Sequence, residues 1–332
     1  MSKSFLRNVV GEYMRTLGER DDKVVIVNAD LAGTCRNKSF AEKFPDRAFN
    51  VGIAEQNMIS FAAGLAHEGF HPYTFSMAPF ITMRACEQIR TDVAYGNRNV
   101  TMIGVYAGVS GGISGATHWG IEDVGIMTAI PNITVFEISD ANQAKKILDF
   151  SLTYNKPVYI RLGVEATEDI YDEISIKPSG SFTVMDGDDG AFICSGVIVQ
   201  YAVEAAKKIK TATGKSIRVL DMYSIKPIDK EAIKNAAQTG NVIIAQDHNI
   251  IGGLGTIAAA VIAEAGISTK LEILGIRDKF IPMAHAGYIY HQFSLDTKGL
   301  IIKMERMLQK VTPPHEIDNT KMQLVSQMRR AA

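Results

Sequence analysis

The run Asn50-Val-Gly-Ile-Ala-Glu-Gln-Asn-Met-Ile-Ser-Phe-Ala-Ala-Gly-Leu-Ala-His-Glu-Gly69 changes its period in the middle. A short apolar segment, Ala48 to Val51, reads as a strand arriving at Gly52. Beyond Ile53, the residues Met58, Ile59, Ala62, Leu65 and Ala66 recur at helical spacing and make one apolar stripe. Glu55 therefore stands at a strand-to-helix junction, in the first helical turn. An acidic residue there has an ordinary explanation, because the helix macrodipole is positive at that end. Its neighbours argue for more. Gly52, Ile53, Ala54 and the stripe give Glu55 little polar company on its own segment, and a carboxyl in dry surroundings favours holding or sharing a proton.

The same strand-then-helix grammar repeats outward in both directions. Toward the N-terminus, Ser4 to Glu19 reads as an opening helix with Ser4 as cap and Phe5, Val9, Tyr13 and Leu17 on its apolar side. Lys23 to Ala29 is a continuous apolar run of the kind found in buried parallel strands, ending at Asp30 and a loop with Gly33 and Thr34. Toward the C-terminus come strand His71–Phe75, helix Pro79–Tyr95, strand Val100–Tyr106, a glycine-rich loop from Gly108 to Gly120 and helix Ile121–Ala129. Strands Pro131–Glu137 and Pro157–Leu162 flank helix Ala141–Leu152. From Val164 to Gly190 the period fails and Asp, Glu, Gly and Ser accumulate, so 165–190 reads as a linker, with room in it for a hairpin or edge strand. A second alternating series then runs from strand Ala191–Cys194 to helix Thr297–Leu308, and 312–332 reads as an extension. The expectation is α/β, with two doubly wound domains over 1–164 and 191–311. Sites in such sheets lie beyond the carboxyl ends of strands, where Asp30, the Gly108–His118 loop and Arg161 fall.

With 332 residues, 46% apolar and 21% charged at a formal net charge of −1, the chain has no global bias toward nucleic acid or a membrane surface. Cys35, Cys86 and Cys194 are far apart, which argues against a disulfide framework or a metal site and for a reducing compartment. The N-terminus lacks the apolar core of a signal peptide, and a cytoplasmic enzyme is the default.

The run Val-Gly-Ile-Ala-Glu-Gln-Asn-Met over 51–58 resembles the pyrimidine-domain signature of the transketolase family of thiamine diphosphate enzymes. The resemblance implies a thiamine-diphosphate pyrimidine-binding domain followed by a transketolase C-terminal domain, and covers residues 4 to 310. It makes Glu55 the carboxyl that hydrogen-bonds the aminopyrimidine and promotes its imino form, so that the cofactor can deprotonate its own thiazolium carbon. Phe80 takes the ring-stacking position, and Met77 stands where many members carry a second aromatic. Asp30 matches an acidic residue beside cofactor and donor sugar. The loop ending Ala-Thr-His, followed by Glu122-Asp123, resembles the one that brings a histidine, here His118, to the sugar hydroxyls. Its four glycines in eleven residues otherwise read as turns or as a phosphate cradle. Arg7, Thr34 and Arg161 match positions that bind the sugar-phosphate end, where guanidinium forks suit a dianion.

Two positions depart from the family. Ser114 stands where an Asp usually bonds a donor hydroxyl, and Tyr106 where a His is common near the phosphate end. The expected substrate is therefore an uncommon ketose donor. Ile-Lys-Pro-Ile-Asp over 225–229 and Gly-Gly-Leu-Gly over 252–255 resemble the family's C-terminal domain; the glycines read as a tight turn and helix packing rather than an anion site. The Gly-Asp-Gly signature that binds diphosphate and a divalent metal is missing; the nearest run is Gly187-Asp-Asp-Gly190 in the linker. The resemblance thus implies the C-terminal subunit of a split transketolase. An N-terminal partner chain would bring the diphosphate site and Mg2+, in an α2β2 assembly. A 1-deoxyxylulose-5-phosphate synthase half, a 2-oxoacid dehydrogenase beta chain and a non-catalytic regulatory homologue are the alternatives. The Thr-His pair argues against the dehydrogenase, the split chain against the synthase, and intact Asp30, Glu55 and His118 against the regulator.

Overall fold

A computed structural model describes residues 3–309, whose strands form three sheets. From edge to edge, the first sheet runs Ser224–Lys226, Thr134–Glu137, Val158–Arg161, Thr101–Val105, His71–Met77, Val24–Asn28 and Ala48–Asn50. All its pairings are parallel except that of Ser224–Lys226. Its central strands read as unbroken apolar runs because both faces are covered. Helices Leu6–Arg20 and Ala141–Tyr154 bring Val10, Met14, Ile147 and Leu148 onto Ile26, Phe75 and Ile103. On the opposite face Met58, Ile59, Ile89 and Val93 meet Val27, Met102 and Val135. Each such side chain fully buried stabilises by roughly 1.5–3 kcal/mol. Val24–Asn28 is followed in the chain by Ala48–Asn50 on one side and His71–Met77 on the other. This is the kind of switch in strand order beyond which such sheets carry their sites.

In the second sheet the order is Lys270–Ile276, Asn241–Asn249, Gly190–Cys194, Ile217–Asp221 and Phe182–Met185, the last antiparallel. The two halves interlock through the Ile-Lys-Pro-Ile-Asp run. Ser224–Lys226 completes the first sheet, Lys226 Nζ donates to the carbonyls of Thr128 and Ile130, and Asp229 caps helix Lys230–Ala237. The Gly252–Gly255 turn packs closely. A Cβ on Gly255 would lie 2.4 Å from Ile273, and Leu254 N–H is already bound by Gln246 Oε1 at 2.8 Å.

Several elements differ from the sequence expectation. Ser4 lies in a short strand, Lys3–Phe5, which pairs antiparallel with Ala166–Glu168 from within the linker, so the helix begins at Leu6 and Ser4 is no cap. The buried stripe of that helix is Leu6, Val10, Met14 and Leu17, while Phe5 is exposed. It is rotated because Gly11 and Gly18 lie tight against the Arg36 carbonyl and Phe40. The linker also holds the edge strand Phe182–Met185. Residues 79–95 are not one α-helix; π-helical turns at Phe80–Arg84 and Ile89–Tyr95 flank a single α-turn, Cys86–Gln88. Helices Lys38–Lys43 and Ala286–Gln292 were not foreseen. The proposed extension 312–332 lies outside the described residues. None of the described helices is long and apolar enough to cross a membrane.

Arg161 is 1% exposed and sits where the two halves meet. Its Nε donates to Asp123 at 2.8 Å, Nη1 to Glu137 at 2.5 Å, and Nη2 to the carbonyls of Gly120 and Asp247. Ser195 and Gln246 complete the Glu137 carboxylate, each at 2.7 Å. A guanidinium so committed has no fork to offer a substrate, which corrects the expectation that Arg161 holds the phosphate. Arg161→Met should leave two buried carboxylates uncompensated and cost about 3–5 kcal/mol in urea unfolding. A phosphate-binding role would instead raise KM with stability intact.

Asp221 is buried at the end of Ile217–Asp221, and accepts from Tyr171 Oη at 2.6 Å and Gln143 Nε2 at 2.9 Å. Burial pushes its carboxyl up from 3.8 to about 7. The folded chain then keeps a proton that the unfolded chain releases above 3.8, so this group's contribution falls as pH rises from about 4 to 7. Asp221→Asn keeps an acceptor for both donors without the charge. The melting temperature of the variant, relative to the parent, should rise between pH 4.5 and 8, roughly the window in which an ionised buried carboxylate costs stability. A constant difference would mean that Asp221 stays in one ionisation state throughout.

Candidate active site

The turn into the helix Glu55–His67 is made by Gly52, whose φ of +77° is left-handed with open space around it, so its demand is conformational. The turn delivers Glu55 into the interior at 3% exposure. Its carboxylate is not isolated, contrary to the expectation from its own segment. Ser76 Oγ donates to it at 3.2 Å, and Arg84 Nη1 reaches both oxygens, at 3.3 and 3.2 Å. Arg84 also stands over Phe80, its Cζ 4.0 Å from the ring centroid. The Phe80 ring in turn meets His118 edge to face, 5.4 Å between centroids. Glu55, Arg84, Phe80 and His118 thus form one row, and Met77 is half-buried beside Ser76 at the strand end. Ser76 and Arg84 were missed by sequence reasoning. Only the helical spacing of Phe80 and Arg84 hinted at the second.

Asp30 follows the strand Val24–Asn28 with a left-handed φ of 60° and is exposed. It is held by Asn50, which accepts from Asp30 N–H and donates to its carboxylate, both at 3.0 Å. Asn50 too was unforeseen. On the far side, Tyr106 follows the strand Thr101–Val105 with φ 63°, and its hydroxyl accepts from Arg7 Nη1 at 3.2 Å. Arg7 Nε is buried without a partner. Thr34 is half-buried in the loop that packs on Gly11, one turn beyond Arg7. The sequence therefore located Arg7, Thr34 and Tyr106 on elements that do adjoin, and Arg161 is the member left out.

The glycine-rich loop is built for close approach and not as an anion cradle. Gly108, Gly112 and Gly115 all have left-handed φ. Gly108 N–H bonds the Gly120 carbonyl, Val109 N–H the Asp247 carboxylate, and Gly112 and Gly115 N–H groups close turns within the loop. Trp119 Nε1 donates to the Gly112 carbonyl beneath, Ser114 is half-buried in the tight turn Gly112–Ser114, and Thr117 Oγ1 pairs with His118 Nδ1 at 2.8 Å. Asp247 also accepts from Tyr290 at 2.8 Å, and burial lifts its carboxyl to about 6 against the opposing pull of Arg161. The loop that carries His118 is thereby moored to the second half of the molecule.

Two wound sheets locked by a buried arginine, with a buried carboxyl, a guanidinium, an aromatic ring and an imidazole in one row, define a two-domain α/β scaffold. The chain belongs to the transketolase family: residues 3–168 match its pyrimidine binding domain and residues 182–300 its C-terminal domain. It is 37% identical to a putative transketolase C-terminal section of Methanocaldococcus jannaschii, over 92% of this chain and 96% of that one. It is 34% identical to a 6-deoxy-6-sulfo-D-fructose transketolase subunit of Clostridium sp., over 91% and 94% of the two chains. A solved split gene transketolase, an inactive beta4 tetramer, superposes with a TM-score of 0.82 at 32% identity, covering 92% of this chain and 99% of that one.

A Cβ at residue 108 would combine left-handed strain with an approach of 2.0 Å to Asp247 Oδ2. Gly108→Ala should therefore unseat the loop and lower stability by about 2–4 kcal/mol. Amide exchange should rise at Val109 and around His118. Unchanged exchange there would show that the mooring is dispensable.

Proposed function

We propose that this chain is the C-terminal subunit of a split, thiamine diphosphate-dependent transketolase that moves a two-carbon ketol unit between sugar phosphates, from an uncommon ketose donor. The observation that carries the reading is Glu55, a carboxyl 3% exposed in the same row as the ring of Phe80 and the imidazole of His118. The residues fit the cofactor's aminopyrimidine: a flat, delocalised donor, the Arg84 guanidinium, already meets Phe80 and the Glu55 oxygens together. When bound, thiamine diphosphate supplies the carbanion chemistry of ketol transfer. Glu55 holds one proton at the ring nitrogen, while Phe80 and Met77 cover the ring. His118 and Asp30, the latter aimed by Asn50, serve the donor hydroxyls. Arg7, Thr34 and Tyr106 hold the phosphate end, without Arg161.

The partner is an N-terminal transketolase subunit that carries the diphosphate site and Mg2+, joined in an α2β2 assembly in the cytoplasm. The related split-gene chain, inactive as a beta4 tetramer, supports the need for that partner. Ser114 and Tyr106 support the uncommon donor. A serine lacks the charge and reach of an aspartate, and a site built on one hydrogen bond discriminates strongly against ligands that cannot make it. A relative named for a sulfonated ketose points the same way.

The test is a donor panel on the pair reconstituted with a Gly-Asp-Gly subunit. Branched or otherwise modified ketoses should outperform xylulose 5-phosphate and fructose 6-phosphate. Glu55→Gln should lose about 10²–10⁴-fold in turnover with folding and partner binding intact. Full turnover in that variant would remove Glu55 from the chemistry, and a wide preference for the two common donors would overturn the specialised substrate.

A further inference from the structure

Arg84 satisfies both neighbours of the ring site at once. Its guanidinium carbon is 4.0 Å from the Phe80 centroid, about the separation at which stacked atoms touch. Nη1 donates to both oxygens of Glu55. A planar, delocalised group that stacks on Phe80 and donates to Glu55 meets the two demands the site makes of an aminopyrimidine. Two such groups do not fit on one ring face. The arginine is also free to leave: its side chain is 50% exposed, on a stem of several rotors, whereas Glu55 is 3% exposed and keeps Ser76 as a donor.

We infer that Arg84 is a placeholder, which fills the ring site in the cofactor-free chain and must swing outward before the aminopyrimidine can stack on Phe80. This rests on the assignment of Glu55 and Phe80 to the cofactor ring. The device has a physical purpose. Without a cationic partner, a carboxylate this deeply buried would be left with a single hydroxyl donor, an arrangement that penalises the free chain. With one, the free site is satisfied and its ring face is covered. A half-exposed ion pair with a cation–π contact is weak enough for a ligand to displace. Arg84 therefore competes with the cofactor ring for Glu55.

The experiment uses the full chain alone and 4-amino-2,5-dimethylpyrimidine as probe, which carries no diphosphate and so needs neither metal nor partner subunit. Dissociation constants are read by ligand-observed NMR. Arg84→Met, which keeps an apolar stem and removes the fork, should bind the probe roughly fivefold more tightly than the parent, the scale of a displaced half-exposed pair. Millimolar methylguanidinium should weaken binding to this variant and leave the parent unchanged. Arg84→Gln is the second variant if the first does not fold. Equal or weaker probe binding in the folded variant would overturn the placeholder. Phe80→Ala and Glu55→Gln separate the two levels of the reading: both should abolish probe binding, and if neither alters it, the ring-site assignment itself fails.

Discussion

One buried cation organises the molecule. Arg161 takes carboxylates from the first half, Asp123 and Glu137, and a backbone carbonyl from the second, at Asp247. Desolvating these charges is costly, and apolar residues of equal volume would often do as well for stability alone. The arrangement adds direction: only one docking of the two sheets satisfies every donor and acceptor around Glu137, to which Ser195 and Gln246 also contribute from the second half. Asp247 carries the constraint outward by gripping Val109 N–H, so the seating of the His118 loop is a property of both domains. The C-terminal half supplies no residue to the row Glu55–Arg84–Phe80–His118, yet it determines where one end of that row stands.

Around this fixed frame, strain gathers at the site. Asp30 and Tyr106, both in the left-handed region without being glycine, lie within two residues of the ends of buried strands. Each such residue costs of order 1 kcal/mol and persists only where neighbours over-determine it. Asn50 does so for Asp30, and Arg7 with the close packing of Gly111 does so for Tyr106. The chain holds these side chains beyond the sheet at the expense of backbone ease, which marks the site as built rather than residual.

Much of this was legible in the sequence. Strands buried on both faces leave unbroken apolar runs, and helices covering one face leave a stripe, so the alternation and the strand-to-helix position of Glu55 could be read directly. The 51–58 run and the Thr117–His118 pair carried the family. Contacts between distant segments were harder. The run Val158–Arg161 reads the same whether its terminal arginine faces solvent or two buried carboxylates, and a matched position transfers residue type without its surroundings. The environment of Glu55 was misjudged for the same reason, since Ser76 and Arg84 arrive from another strand and helix. Ser4 read as a cap because a polar residue before an apolar stripe is the usual signal, and nothing local revealed its pairing with Thr167. The π-helical turns leave an apolar spacing too close to the α-helical one to be separated by eye.

The short strand Ser224–Lys226 has a consequence for how the chain is made. It belongs to the second half by position, yet it closes the open edge of the first sheet against Thr134–Glu137, with Glu137 N–H bonded to the Tyr223 carbonyl at 2.9 Å. During vectorial synthesis that edge stays unpaired while some sixty more residues are added, counting from Arg161 to Ser224. An exposed edge strand templates association with other chains. The nascent first domain is thus born sticky, and it is capped only when the ribosome has already delivered part of the next.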